Sequence, residues 1–156
     1  ILENDNFSFY LIGQGQEKDS LMKYAEKMHI SNVRFFDSVK KDILYSLLKH
    51  FDCLYIGLQK QNLFRFGISP NKLMDYMMAA RPVLMAIEAG NDPVSEAGCG
   101  LTVMPDSPQA VVNGIRSLLN LGEKERLAMG KRGHAFVMGN HTYPVLAKKF
   151  LAACNG

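Results

Sequence analysis

An open α/β sheet of parallel strands, covered by helices on both faces, is the fold class this sequence of 156 residues predicts. Three observations carry it. Short apolar runs alternate with amphipathic stretches along the chain, the pattern of successive β-α-β units. The strand-like runs are nearly continuous in apolar residues, as strands covered on both faces are. Two glycine features, Gly13/Gly15 and Gly57/Gly67, each follow such a run. That sets both at the carboxyl rim of the sheet, where folds of the Rossmann type bind ligands.

The elements follow in order. Ser8-Phe9-Tyr10-Leu11-Ile12 is a β-prone run stopped by Gly13-Gln14-Gly15. Leu21, Met22, Ala25 and Met28 recur at helical spacing and predict a helix from about Glu17 to Met28. Val33-Arg34-Phe35-Phe36 is a second strand. Ile43, Leu44, Leu47 and Leu48 define a helix from Lys40 to His50. Cys53-Leu54-Tyr55-Ile56 is a third strand, and Gly57 to Phe66 reads as an irregular loop. A helix from Pro70 to about Ala80 leads to a fourth strand, Pro82-Val83-Leu84-Met85-Ala86. Residues 92–97 read as a short helix and Leu101-Thr102-Val103 as a last strand. Three helices, about 107–120, 123–138 and 143–153, close the chain, with Gly122 and Gly139 marking the breaks.

Size and composition fit one domain over residues 1–156. A hydrophobic fraction of 47% and a charged fraction of 21% are ordinary for a globular protein. The formal charge of +3, with no Lys/Arg run longer than two, gives no footing for nucleic acid. It supports at most weak attraction to an anionic ligand or membrane surface. No apolar run reaches transmembrane length and none reads as a signal peptide. Cys53, Cys99 and Cys154 form no CxxC spacing, which fits a reducing, cytoplasmic setting. His29, His50, His134 and His141 are scattered, and no pair has metal-site spacing.

The chemistry concentrates at Gly67-Ile68-Ser69-Pro70-Asn71-Lys72-Leu73-Met74-Asp75-Tyr76, a glycine loop running into a helix start. Ser69 has the residue type of an N-cap and Pro70 suits the first helical position. Lys72 puts a cation in the first turn, where the macrodipole is already positive. Either it points into solvent, or an anion joins it there, as phosphates and carboxylates do at free helix amides. Asp75, at i+3 from Lys72, shares its helix face, which suits a ligand carrying both phosphates and hydroxyls. Arg65, two residues before Gly67, is either an exposed loop arginine or a further partner for that anion. Gly13-Gln14-Gly15 is the start of a dinucleotide fingerprint without its third glycine, since Lys18 stands there; a tight strand-to-helix turn explains it as well. Asp37-Ser38 reads as the cap of the next helix rather than as a ligand contact, and Met74, Met77 and Met78 as core packing. Glu88, Asp92 and Glu96 have the spacing of a polar helix face and stay outside the candidate site.

The stretch from Gly67 to Met77, followed by Pro82-Val83, resembles the signature of the nucleotide-sugar-binding domain of group 1 (family 4) retaining glycosyltransferases. These are two-domain enzymes with the GT-B fold. Phe9 to Gly15, Asn32-Val33-Arg34-Phe35, Asp52 to Ile56, Gly98-Cys99-Gly100-Leu101, Met129-Gly130 and His141-Thr142-Tyr143 resemble the family's pattern too. The resemblance implies a nucleotide diphosphate sugar as donor, no metal or cofactor, and a glycan or lipid-linked acceptor in bacterial surface polysaccharide synthesis. It places Asp75 on the ribose hydroxyls; Lys72 has no equivalent in the commonest form of the motif, and the macrodipole argument gives it a donor phosphate or a sugar carboxylate or hydroxyl as partner. Backbone amides from Gly67 to Ser69 would hold the donor sugar or phosphates. The candidate substrate-binding residues are therefore Gly13, Gly15, Arg65, Gly67, Ile68, Ser69, Asn71, Lys72 and Asp75. No catalytic residue is assigned.

Two departures stand out. The family's first acid, seven residues before the second, falls on Gly67, which has no side chain. The family's domain also begins with another β-α unit, so the chain reads as a fragment, with the acceptor domain elsewhere and no turnover expected of this chain alone. That leaves a gap at the central strand, to be closed by pairing residues 8–12 with 53–56 or by assembly. A non-catalytic Rossmann-type nucleotide- or phosphate-binding module, and half of a GT-B sugar-nucleotide epimerase, are the alternative readings.

Overall fold

The computed structural model describes residues 7–154. Its strands are β1 (Phe9–Ile12), β2 (Val33–Phe36), β3 (Leu54–Gly57), β4 (Val83–Ala86) and β5 (Gly100–Thr102). The helices are α1 (Lys18–Lys27), α2 (Lys41–Leu48), α3 (Asn71–Met78), α4 (Pro93–Ala97), α5 (Pro108–Asn120), α6 (Glu123–Asn140) and α7 (Tyr143–Cys154). A short 3-10 helix, Asn62–Phe66, interrupts the segment predicted to be irregular. The chain forms two compact units that divide between Leu44 and Tyr45. Parallel strands flanked by helices make the fold Rossmann-like α/β, as the alternating pattern requires.

In the first unit β1 and β2 pair in parallel, Phe9 with Val33 through Ile12 with Phe36. The ladder is extended at both ends by Phe9 N–H to the Asn32 carbonyl and Gly13 N–H to that of Phe36. No residue of β1, α1 or β2 is fully buried. Tyr10 and Phe36 stack at 5.8 Å between centroids on the exposed side.

The second unit holds the core. Its sheet has the order β3-β4-β5, all parallel, and every residue of the central β4 is buried. Ile56, Leu73, Met77, Val83, Met85, Ile87, Val94, Cys99 and Val137 make one continuous cluster, with Met74 and Met78 packed on it. Close backbone approach fixes α6: a Cβ at Gly130 would lie 1.9 Å from the Ala80 carbonyl oxygen. Only glycine fits there. At Gly133 a Cβ would meet that of Cys99 at 2.9 Å.

Several expectations need correction. The described strands form two separate sheets rather than one, and β1 pairs with β2 and not with residues 53–56. An apolar run specifies a strand but not its neighbour, which long-range closure decides. Cover on both faces holds for β4 alone; β3 alternates buried and exposed, and β1 and β2 are half exposed. Gly139 does not break the last helices, because α6 runs through it to Asn140. Glycine inside a helix costs about 1 kcal/mol, which an 18-residue helix anchored at Gly130, Gly133 and Val137 absorbs. The Asp37 carboxylate accepts from Lys18 and Gln14.

Candidate sugar-nucleotide site

The site grows out of how the chain leaves β3. The 3-10 helix ends at Gly67, whose φ of 104° is open to glycine at little cost. The Phe64 carbonyl accepts from two amides there, Gly67 at 2.9 Å and Gly90 at 2.8 Å. Gly90 is pressed so close that a Cβ would meet the Arg65 carbonyl oxygen at 2.2 Å and the Gly67 nitrogen at 3.3 Å. Asn91 completes the join: its Oδ1 accepts from Ile68 N–H at 2.7 Å and its Nδ2 donates to the Ile68 carbonyl at 3.0 Å. One carboxamide thus satisfies both backbone groups of Ile68, and the Gly67–Ser69 loop is held from the segment that follows β4.

α3 starts one residue later than its sequence suggests. Pro70, not Ser69, is the N-cap, with extended backbone at φ −71° and ψ 124°, and Asn71 is the first helical residue. Leu73 N–H makes the first helical bond, to the Pro70 carbonyl at 2.9 Å. Proline has no side-chain acceptor to offer, so no side chain caps the first turn. Ser69 is exposed and caps nothing. Lys72 is exposed in that turn, beside the helix's positive end. One turn on, Asp75 is partly buried, and its Oδ1 accepts from the Tyr45 hydroxyl at 3.0 Å. The buried Leu73 and Met77 fix the opposite face of α3 in the core.

A cavity of about 250 Å³ lies beside this loop, lined by Lys60, Gln61, Asn62, Arg65, Glu88, Ala89 and Gly90. The Lys60 ammonium bridges both oxygens of Glu88, at 2.7 Å and 2.9 Å. The Arg65 guanidinium lies over the Phe66 ring, 4.7 Å from its centroid. Arg65, Gly67, Ile68, Ser69, Asn71, Lys72 and Asp75 therefore share one loop and helix start.

Gly13 and Gly15 belong to the first unit. Gly13 has φ 151° and turns the chain off β1. Lys18, standing where a fingerprint would have its third glycine, donates to the Phe36 carbonyl at 3.0 Å and to Asp37 at 2.7 Å. Its hydrogen bond and charge, with help from Gln14, hold the Asp37 carboxyl below its ordinary value. The turn is closed by its own side chains.

Two thiols are excluded as nucleophiles. Burial pushes Cys53 up to about 12 and Cys99 up to about 11, so neither is a thiolate near neutrality. Among the described residues no cluster of three metal-ligating side chains occurs.

The sequence profile described as "Glycosyl transferases group 1" matches residues 1–121. The chain belongs to that family. WcaI of Escherichia coli (strain K12), named as a colanic acid biosynthesis glycosyl transferase, is 30% identical over 131 residues, covering 81% of this chain and 32% of WcaI. WbjE of Pseudomonas aeruginosa, named as a glycosyltransferase, is 25% identical over 157 aligned positions, covering 99% of this chain and 38% of WbjE. The chain thus spans about a third of the length of these relatives. Among solved structures, a glycosyltransferase from Rickettsia africae superposes with a TM-score of 0.77 at 14% identity, covering 97% of this chain and 40% of that one. WaaG, a glycosyltransferase involved in lipopolysaccharide biosynthesis, gives 0.69 at 22%, over 92% and 37%. The C-terminal domain of the group 1 protein LpcC from Francisella tularensis gives 0.68 at 14%, over 91% and 74%. These identities speak for a shared fold with the group 1 C-terminal domain.

Within this group 1 chain, sequence reasoning missed Tyr45, Lys60, Glu88, Gly90 and Asn91. Glu88 was visible as a rim residue after β4, but its spacing to Asp92 and Glu96 masked it. The structure separates them: Asp92 is the N-cap of α4, accepting from Ser95 N–H at 2.9 Å, while Glu88 turns to Lys60.

Proposed function

We propose that this chain is the donor-binding half of a metal-independent, retaining glycosyltransferase that moves a sugar from a nucleotide diphosphate to a glycan or lipid-linked acceptor. The observation that carries the reading is the Asn91-held Gly67–Ser69 loop in front of an α3 first turn that no side chain caps. Backbone amides and the Lys72 ammonium meet the donor diphosphate there, a charge worth up to about 2 kcal/mol at a helix N-terminus. The same groups stabilise the charge that develops on the leaving phosphate as the sugar–oxygen bond breaks. Asp75, oriented through Tyr45, accepts from the ribose hydroxyls. No side-chain nucleophile is evident in this stretch, which agrees with front-face chemistry assisted by the substrate itself. The acceptor falls to the rest of such an enzyme, and the names of WcaI and WaaG support a role in surface polysaccharide synthesis.

Calorimetry with uridine and other nucleoside diphosphates is the test. One of them binds this chain, and Asp75→Ala weakens it about tenfold or more, the loss of a charge-assisted hydrogen bond. If none binds, or if Asp75→Ala binds as tightly as the parent, the site is misassigned.

A further inference from the structure

The cavity beside the Gly67 loop carries a pair that the anion site does not use. Lys60 and Glu88 are joined at 2.7 Å, with side chains 59% and 50% exposed. An ion pair as exposed as this adds little to stability, so the fold does not require it. Both side chains nevertheless stand on anchored backbone. Lys60 N–H donates to Asp106 Oδ2 at 3.0 Å, and Asp106 itself holds a φ of 54°. Glu88 is followed by Gly90 and Asn91, which are tied to the Phe64 carbonyl and to Ile68. The result is a carboxylate acceptor and an ammonium donor side by side on the cavity wall. Each of two neighbouring hydroxyls can donate one bond and accept others, so a vicinal diol complements such a pair. Gln61 and Asn62 add carboxamides to the same wall. At about 250 Å³ the cavity is smaller than the 300–1,000 Å³ typical of drug-sized ligands, the scale of one sugar ring.

We propose that Lys60 and Glu88 read a vicinal diol of the donor's sugar and so determine which donor is accepted. This rests on the donor-binding reading above. Glu88 then brings to the sugar, from the loop after β4, a carboxylate that Gly67 cannot supply. The pair is a specificity determinant, and the diphosphate is bound elsewhere, at α3.

The test compares a bare nucleoside diphosphate with a panel of its sugar conjugates, neutral, amino and acidic, by calorimetry on this chain. The expected result is a preferred conjugate that binds about tenfold or more tighter than the bare diphosphate. Glu88→Gln and Lys60→Met each abolish that gain while the bare diphosphate binds both variants as it binds the parent. A deoxy conjugate lacking one hydroxyl of the diol loses the same factor on the parent and nothing further on Glu88→Gln, the non-additivity of one shared contact. A diphosphate that binds with no gain from any sugar, or a gain that survives both substitutions, overturns this inference and leaves the donor site standing. If no diphosphate binds at all, the donor site and this inference fall together.

Discussion

Asn91 is the residue on which the candidate site turns, because it alone holds both backbone groups of Ile68. Asn91→Ala removes both bonds on an exposed carboxamide. We expect a modest stability loss of about 1–2 kcal/mol and a larger drop in donor affinity, seen by calorimetry. Asn91→Asp keeps the acceptor but loses the donor, and recovers only part of it. In the first unit, Asp37 reports on Lys18. Its folded value lies below the ordinary 3.8, so its share of stability is present above about pH 4 and is lost as pH falls through the lowered value. Lys18→Met raises the Asp37 value back toward 3.8, measured from its carboxyl carbon by NMR titration. Neither contact was legible in the sequence. Asn91 and Asn32 look alike as letters, and Asp37 looked like a cap because Asp before a helix usually is one. The partner of its carboxylate is a lysine 19 positions away.

At the scale of elements, α3 and α6 show what a local pattern can and cannot specify. Leu73 and Met77 recur at helical spacing, and both are fully buried, so the apolar face of α3 could be read directly. The start of α3 could not. Ser69 and Pro70 both suit a helix start, and the structure puts the cap at Pro70. α6 carries the sharper lesson. Gly130 and Gly139 are equal in sequence, yet the first admits the Ala80 backbone and the second meets nothing within 4 Å. Gly130→Ala should cost about 1–3 kcal/mol or more by overpacking against backbone, read as a lower denaturant midpoint. Gly139→Ala should be neutral or stabilising by up to about 1 kcal/mol. Equal effects at the two glycines would contradict the packing of α6.

Across the whole molecule the apolar burial is uneven. The second unit contains the continuous core, whereas β1, α1 and β2 contribute no fully buried residue. Local opening follows burial and contact density. Amide exchange should therefore run faster in β1, α1 and β2 than in β4, with the slowest amides at Val83 to Ala86. Uniform protection along the chain would show that the first unit is covered in solution in a way the fold does not display. Among the described residues no helix is long and apolar enough to cross a membrane.

The sequence by itself determined the class of the fold, the order of its elements and the stretch proposed to bind. Alternation, helical periodicity and a glycine loop before a helix are short-range properties, carried within a dozen residues. The tertiary structure decided the partition into two sheets, the clamp from Asn91 and the Lys60–Glu88 pair. Each of these joins residues 23 or more positions apart, or chooses among equivalent strands. No local pattern encodes such a choice, because its free energy appears only when the segments meet.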